Sequence, residues 1–223
     1  MQLEPREVIL LKPTPAFVSF LAGQLPEAVV PSLHLLQTDI TAYTLPLHDT
    51  EDALLETLEM LFPLMFEHEI KRWFGDEILL EMKASFFDFL CCFKFELHSH
   101  LVVLEPSFEA DQQLLRVRPR AFLLKKIQDQ AFEAAEEDIA TWVEQVSLSH
   151  MTENATVVIK KFTTLDEVHP FVKQYFRPIF KMEMMRVCDS ESQWPSVTSF
   201  EEFSRYFLID IHTNLLHLDK PSR

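Results

Sequence analysis

This chain of 223 residues contains only two glycines, Gly23 and Gly75. Loops that hold phosphate groups, and the turns of dinucleotide-binding folds, need glycine because their backbone adopts positive φ or approaches the ligand closely. No G-x-x-x-x-G-K-[ST] loop, G-x-G-x-x-G turn or G-x-S-x-G nucleophile elbow occurs in the sequence. The sequence therefore excludes the nucleotide-binding and hydrolase folds that are built around those three loops.

Apolar residues make up 48% of the chain and include 20 phenylalanines, which is enough to build a substantial core. Stretches rich in alternating or β-branched residues predict strands, and apolar residues at steps of three and four predict helices. The predicted strands are residues 7–11, 33–45 (a long strand or a hairpin), 96–105, 114–118, 156–161 and 207–218. The predicted helices are residues 16–25, the segment from Asp49 to Gly75 with a kink or break at Pro63, residues 77–93 and 121–146, and two helices opened by capping boxes at Thr164 and Thr198.

Strands and helices interleave without a regular βαβ rhythm. We therefore predict an α+β fold, with one mixed, mainly antiparallel sheet packed with about five or six helices. We find no internal repeat, and the chain beyond the linker-like segment Cys188–Ser196 is too short for a second domain. Residues 1–223 are predicted to form a single domain.

The formal net charge of −15 disfavours binding to nucleic acid and to anionic lipid. No run of about 18 apolar residues is present to span a membrane. The first residues, MQLEPREVILLKPTPAF, lack the basic start and the uninterrupted apolar run of a secretion signal. Three cysteines without the spacing of a disulfide framework indicate a reducing compartment. We expect a cytoplasmic protein that neither binds nucleic acid nor inserts into a membrane.

The stretch FFDFLCCFKFELHSHLVVL, residues 86–104, places Cys91 and Cys92 shortly before His98 and His100. Structural zinc sites separate their cysteines by about two to four residues so that both sulfurs reach one ion, and adjacent cysteines do not satisfy this spacing. We interpret both cysteines as core residues at the join between a buried helix and a buried strand. His98 and His100 share one face of the predicted strand, so a metal site completed by a distant carboxylate is the alternative.

Residues 68–72, HEIKR, begin like the helix of a zinc protease, but Arg72 stands where the second histidine ligand should be. The sequence shows no nucleophile with a positioned base. We therefore assign no catalytic residue, no metal and no cofactor, and we predict that the protein is not an enzyme. The alternative is a ligand- or metal-binding enzyme domain of an unfamiliar class.

Charge is distributed unevenly along the chain. Residues 49–81 contain ten acidic and two basic residues, whereas residues 116–126 contain five basic residues and no acidic one. The acidic segment is typical of a solvated helix face, and it could also receive a basic partner, because complementary charge steers association. The basic segment suits internal ion pairs or an acidic patch on a partner.

Two groups of apolar residues are predicted to bind partner proteins. Residues 181–186, KMEMMR, concentrate methionine, whose flexible side chain adapts to varied partners. The helix that ends at Gly75 has more apolar groups than one narrow stripe buries, which indicates an exposed interface. The predicted partner-binding residues are Phe62, Met65, Phe66, Trp73, Met182, Met184 and Met185. The last strand, residues 207–218, could also pair with an extended peptide if it lies at a sheet edge.

Four stretches carry a resemblance to a known family: LLKPTPAFVSFLAGQLP, MFEHEIKRWFG, FFDFLCCFKFELHSHLVVLEPS, and QWP at Gln193–Pro195. They resemble the LvgA-like acidic adaptors of the Legionella Dot/Icm type IVB secretion system, over most of the chain. The resemblance implies a non-enzymatic cytoplasmic adaptor. Such an adaptor sits with other small acidic adaptors on the C-terminal region of a coupling ATPase, at the inner membrane, and helps to recruit effector proteins for export.

Overall fold

The computed structural model describes residues 2–3, 6–24, 30–75, 84–104, 111–134, 147–188 and 191–218. Within these ranges it contains eight α-helices and nine strands, with mainly antiparallel pairing. The α+β class and the pairing are confirmed. The strands form two sheets where the sequence predicts one. Two short helices were not predicted, Leu33–Leu36 and Leu148–Thr152, and the first of them shows that the predicted strand 33–45 is wrong over its first four residues. No described helix has the length and apolar run needed to cross a membrane.

The chain divides into two compact units. The N-unit is Pro5–Leu97 with His212–Arg223, and the C-unit is Met1–Glu4 with His98–Ile211. Each unit therefore includes a short piece from the opposite end of the sequence. The single domain expected for residues 1–223 stays a prediction.

The described residues of the N-unit form a four-stranded sheet and four α-helices. In sheet order its strands are β4 (Phe93–His98), β2 (Arg6–Pro13), β3 (Thr41–Pro46) and β9 (Leu215–His217). β2 and β3 are antiparallel, and β9 runs parallel to β3. The helices are α1 (Pro15–Gln24), α2 (Leu33–Leu36), α3 (Glu51–Phe74) and α4 (Phe86–Cys92). The core is aromatic: Phe17, Phe66, Phe89 and Phe93 are buried, with neighbouring ring centroids 4.7–6.0 Å apart.

The C-unit consists of a five-stranded sheet and four described α-helices. In sheet order its strands are β1 (Gln2–Leu3), β5 (Leu101–Val103), β7 (Val157–Lys160), β6 (Gln113–Pro119) and β8 (Phe207–His212). β5 is parallel to β7, and β6 is antiparallel to it. The helices are α5 (Ala121–Ala134), α6 (Leu148–Thr152), α7 (Val168–Val187) and α8 (Phe200–Tyr206).

Helix ends follow local sequence signals. Thr50 caps α3 by accepting a hydrogen bond from the Ala53 amide at 3.2 Å, and Gly75, at φ 76°, ends it with the positive φ that glycine adopts most easily. Pro63 lies inside α3 without dividing it. Ser199 and Glu202 form a reciprocal capping box that opens α8, one residue later than the sequence predicts. Thr164 makes no side-chain cap. The predicted helical residues Ile78, Met82 and 135–146 lie outside the described residues.

The two units repeat one fold, so the expectation of no internal repeat is wrong. The sheet order β4-β2-β3-β9 in the N-unit corresponds to β8-β6-β7-β5 in the C-unit. The bounds of α4, β4 and β5 are repeated 114 positions later by α8, β8 and β9. The positions identical in both halves include Thr50 and Thr164, Phe66 and Phe180, Glu69 and Glu183, Arg72 and Arg186, Ser85 and Ser199, and His98 and His212.

Matched hydrogen bonds support this correspondence. In the N-unit the Thr14 amide donates to Cys92 O at 2.9 Å, and in the C-unit the Arg120 amide donates to Tyr206 O at 2.8 Å. Both bonds fasten the start of a unit's first long helix to the residue where a later helix passes directly into a strand. The same backbone arrangement thus recurs with different side chains.

The final strand of each repeat lies in the sheet of the other unit. β5 follows β4 along the chain but pairs with β7 in the C-unit, and β9 follows β8 but pairs with β3 in the N-unit. Both exchanged strands run parallel to their new neighbours. Each sheet is therefore completed by a strand from the other half of the sequence.

Candidate functional site: an edge strand beside an apolar groove

Strand β8 lies at the edge of the C-unit sheet, as the last strand in its order. Its four middle residues are only partly buried, whereas the middle residues of β6 are almost all buried. An edge strand presents backbone N–H and C=O groups on its outer side, where another extended chain can pair with them. β8 therefore lies at a sheet edge, which is the condition for pairing with an extended peptide.

The sequence around β8 determines which way its side chains point. Helix α8 passes into β8 between Tyr206 and Phe207 without a connecting loop. Ile209 and Ile211 then pack against the core of the C-unit, while Asp210 binds Arg116 at 2.7 Å and Arg118 at 3.1 Å. Burial does not alternate along β8, since its four middle residues are all partly buried and His212 is buried, and the predicted strand 207–218 divides into β8 and β9. Two arginines of the basic segment are thus used in an internal ion pair.

A groove of about 360 Å³ adjoins β8. Three of its lining residues are polar, namely Arg120, His169 and Ser204. The others are apolar: Leu165, Val168, Val172, Phe200, Phe203, Phe207, Leu208, Ile209 and Ile211. Leu165 is 57% exposed. A concave apolar surface beside an open strand edge fits the side chains of a segment that pairs with that edge.

A second groove of the C-unit, about 690 Å³, lies along α7. Lys160 lies there beside two aromatic rings, with its Nζ 5.5 Å from the ring centre of Phe162 and 5.8 Å from that of Phe171. Neither groove is lined by His98 or His100.

Burial corrects part of the predicted partner-binding set. Met65, Phe66 and Met184 are at most 1% exposed, so they are core residues and their predicted exposure is wrong. The reason is helical phase: Met65 and Phe66 share the buried side of α3 with Leu61 and Ile70. Met185, 58% exposed, lies on the opposite side of α7 from the core.

Phe62, Trp73 and Met182 are half-buried and pack against the edges of the two cores. Their binding of a partner stays a prediction, as does that of Met185. The groove residues Leu165, His169 and Phe200 were not among the predicted partner-binding residues. The sequence signals nearest to them are the predicted helix starts at Thr164 and Thr198; α7 and α8 begin at Val168 and Phe200, both of which line the groove.

The cysteine–histidine stretch is the predicted join between a helix and a strand. α4 ends at Cys92 and β4 begins at Phe93. Cys92 is buried, and burial, followed by the nearby Asp88 carboxylate, raises the pKa of its thiol to about 11. Cys91 is exposed, so the prediction that both cysteines are core residues is wrong for Cys91.

The two histidines have separate surroundings. His98 is buried, and its Nδ1 donates to Ala155 O at 2.7 Å. His100 is half-buried; burial and the Arg186 guanidinium lower its pKa, and the Glu183 carboxylate acts in the opposite direction. Glu183 already accepts hydrogen bonds from the Thr156 amide at 2.8 Å and from Arg186 at 2.5 Å. Among the residues that the structure describes, no three His, Cys, Asp or Glu side chains are grouped to hold a metal.

A carboxylate–imidazole–hydroxyl chain lies inside the N-unit. Glu7 Oε1 is 2.5 Å from His48 Nδ1, and His48 Nε2 is 2.8 Å from Thr57 Oγ1. This order of groups is the one that activates a hydroxyl nucleophile. The side chains of Glu7 and His48 are 4% and 2% exposed, and Thr57 is 1% exposed. A substrate cannot reach the Thr57 hydroxyl in this conformation. The three hydrogen-bonded side chains connect β2 to the segment that follows β3, and that segment to α3.

A second buried polar group recurs in both units. Glu69 and Glu183, at matched positions, are 1% and 0% exposed. In the N-unit Tyr43 donates to Glu69 at 2.9 Å, and burial, followed by the Glu69 charge, raises the pKa of Tyr43 well above 10. A buried carboxylate at the same position of both repeats indicates a structural role and not a catalytic one.

Comparison of the chain with protein-family models, with curated proteins and with solved structures finds no match.

Proposed function

We propose that this protein is a non-enzymatic, protein-binding adaptor or chaperone that takes an extended segment of its partner onto strand β8. The observation that carries the proposal is the sheet-edge position of β8 beside the apolar groove. In strand addition, main-chain hydrogen bonds supply affinity and pockets for alternate side chains supply specificity. Every second side chain of the added segment, about 7 Å apart, would face the groove.

The partners are proposed from the resemblance to the LvgA-like adaptors of type IVB secretion. They are the C-terminal region of the coupling ATPase, other small acidic adaptors and effector proteins awaiting export. The proposed location is the cytoplasm, at the inner membrane through that protein complex. The net charge of −15 supports protein partners over nucleic acid or anionic lipid.

The test is a calorimetric titration of the purified C-terminal region of the coupling ATPase into the wild-type protein and into Leu165→Asp with Ser204→Arg. Leu165 is exposed and Ser204 lines the groove, so the fold should survive both changes. We expect Kd to rise more than about tenfold. Leu47→Asp is the control, because Leu47 is 49% exposed and does not line the groove.

Hydrogen exchange of the same complex locates the contact. Strand addition should slow the exchange of amides in residues 207–212, because their outer backbone groups become paired. Binding that is unchanged in the groove variant and leaves these amides unprotected would refute the β8 site. Absence of binding to the ATPase region, with retained binding to an effector, would refute only that partner.

The second candidate is a hydrolase that uses the Glu7–His48–Thr57 chain. It requires an opening that exposes the Thr57 hydroxyl, and an ester such as p-nitrophenyl acetate tests it directly. Hydrolysis that depends on both His48 and Thr57, lost in His48→Gln and in Thr57→Val while the folded state persists, would favour the enzyme over the adaptor.

A further inference from the structure

Helix α3 has an exposed side that does not contribute to the core of the N-unit. Two adjacent rows of residues at i, i+4 spacing form it: Glu56, Met60 and Leu64 in one row, and Glu59, Pro63 and Glu67 in the other. We name these six residues the α3 face. Met60 is 50% exposed and Leu64 is 58% exposed, which is unusual for large apolar side chains of neighbouring turns.

The second repeat provides an internal reference for this surface. Glu59, Met60 and Glu67 correspond in α7 to Lys173, Gln174 and Lys181, and Pro63 corresponds to Arg177. Lys173, Gln174, Arg177 and Lys181 are also exposed. The other two positions, Glu56 and Leu64, correspond to Pro170 and Pro178. Because the second repeat has no acidic residue at any of the six positions and a polar residue at the position of Met60, the acidic charge of the α3 face and its exposed methionine are not dictated by the fold.

The charge of the α3 face indicates which partner fits it. No lysine or arginine occurs from Glu51 to Glu67, and the first basic residue, Lys71, binds Glu67 at 2.8 Å. An apolar pair set beside carboxylates complements a segment that carries apolar side chains beside lysine or arginine. Parallel i, i+4 rows form the ridges that a second helix packs against.

We propose that the α3 face docks a basic amphipathic helix of a partner protein. This site lies on the N-unit and goes beyond the proposed function, which places an extended segment on the C-unit. A second copy of this chain is a poor occupant, because two molecules of net charge −15 repel each other and the basic face of α7 offers Gln174 where an apolar contact is needed.

The test is fluorescence anisotropy with a labelled synthetic amphipathic peptide of leucine and lysine, compared with a peptide in which glutamate replaces every lysine. The main variant takes the α7 residues into α3: Glu59→Lys, Met60→Gln and Glu67→Lys. We expect wild type to bind only the lysine peptide and the variant to weaken its Kd at least about tenfold. The control, Asp129→Lys with Glu153→Lys, removes two exposed carboxylates elsewhere and should bind within about twofold of wild type.

A second variant separates docking from simple charge attraction. Met60→Gln with Leu64→Gln keeps every carboxylate and should still weaken the Kd about fivefold, because the apolar contact is lost. Unchanged binding in this variant would refute a docking site, since only the acidic charge would then matter. All variants alter exposed residues, and an unchanged urea midpoint verifies that each is folded.

Two further outcomes distinguish this proposal from the β8 site and from self-association. The groove variant Leu165→Asp with Ser204→Arg should bind the lysine peptide like wild type, so that failure of one site leaves the other standing. Sedimentation that shows concentration-dependent self-association, abolished by the α3 variant, would overturn the proposal and identify a second copy as the occupant.

Discussion

Neighbouring residues of the same type have different environments in this protein. Met184 is fully buried and Met185 is 58% exposed, and Cys92 is buried beside exposed Cys91. Sequence identifies methionine and cysteine as apolar, but the phase of a helix against its core decides which of two adjacent residues is covered. Both methionines were predicted to bind partners, and only Met185 is positioned to do so.

Single substitutions should separate the two methionines. Met184→Asp places an unpaired charge in the core of the C-unit, and we expect unfolding at ordinary temperature or a loss of more than about 3 kcal/mol. Met185→Asp should change stability by less than about 0.5 kcal/mol. Urea denaturation followed by circular dichroism measures both, and equal losses would contradict the assigned helix phase.

Thiol labelling should distinguish the adjacent cysteines. The thiolate is the reactive form, and the pKa of Cys92, raised to about 11, leaves this thiol protonated near neutral pH. We expect a maleimide to modify Cys91 rapidly at pH 7 and Cys92 only at strongly alkaline pH or after unfolding. Peptide mass spectrometry identifies the labelled residue, and similar rates at pH 7 would contradict the structure.

The polar contacts of Arg186 hold the end of α7 in place. Arg186 binds buried Glu183 and donates to the carbonyl oxygens of Met151 and Glu153. Removing the cation leaves a buried carboxylate without its charge partner, which costs more than losing the pair as a whole. The end of α7 and the segment that precedes β7 therefore depend on one guanidinium.

Arg186→Met should destabilise the protein by about 3–5 kcal/mol. Adding Glu183→Gln should restore part of that loss, because the uncompensated charge disappears. Lys173→Met, on the exposed side of the same helix, is the control and should have little effect. Thermal and urea unfolding supply the four values, and a double variant less stable than Arg186→Met would contradict the buried pair.

Helices and strands were predicted more accurately than their arrangement. Helix starts depend on a few adjacent residues, so the sequence predicts the start of α3 close to Thr50 and that of α8 one residue before its cap at Ser199. The division into two sheets depends on contacts between residues far apart in the chain. The repeat was missed because most matched positions differ, and some carry opposite charge, such as Glu59 and Lys173. The groove beside β8 required the structure, because its lining residues come from separate parts of the C-unit.

At the scale of the whole molecule, the exchanged strands make each sheet depend on both halves of the chain. A protein that ends at His212 lacks β9, which leaves β3 without its parallel neighbour. We expect faster hydrogen exchange in β3, while β6 and β7 keep their protection because the C-unit sheet is intact. A chain that ends at Leu218 retains β9 and is the control. Unchanged protection of β3 in the shorter chain would show that β9 adds nothing to the N-unit.

The exchange of final strands between the two halves also determines when the N-unit sheet can be completed during translation. β3 leaves the ribosome early, yet its neighbour β9 is translated about 170 residues later. At roughly 5–20 residues per second, the edge of β3 that β9 will occupy stays unpaired for roughly 8–35 s. During this interval a strand from another chain can pair wrongly with the open edge of β3. Synthesis of β9 then supplies the correct neighbour.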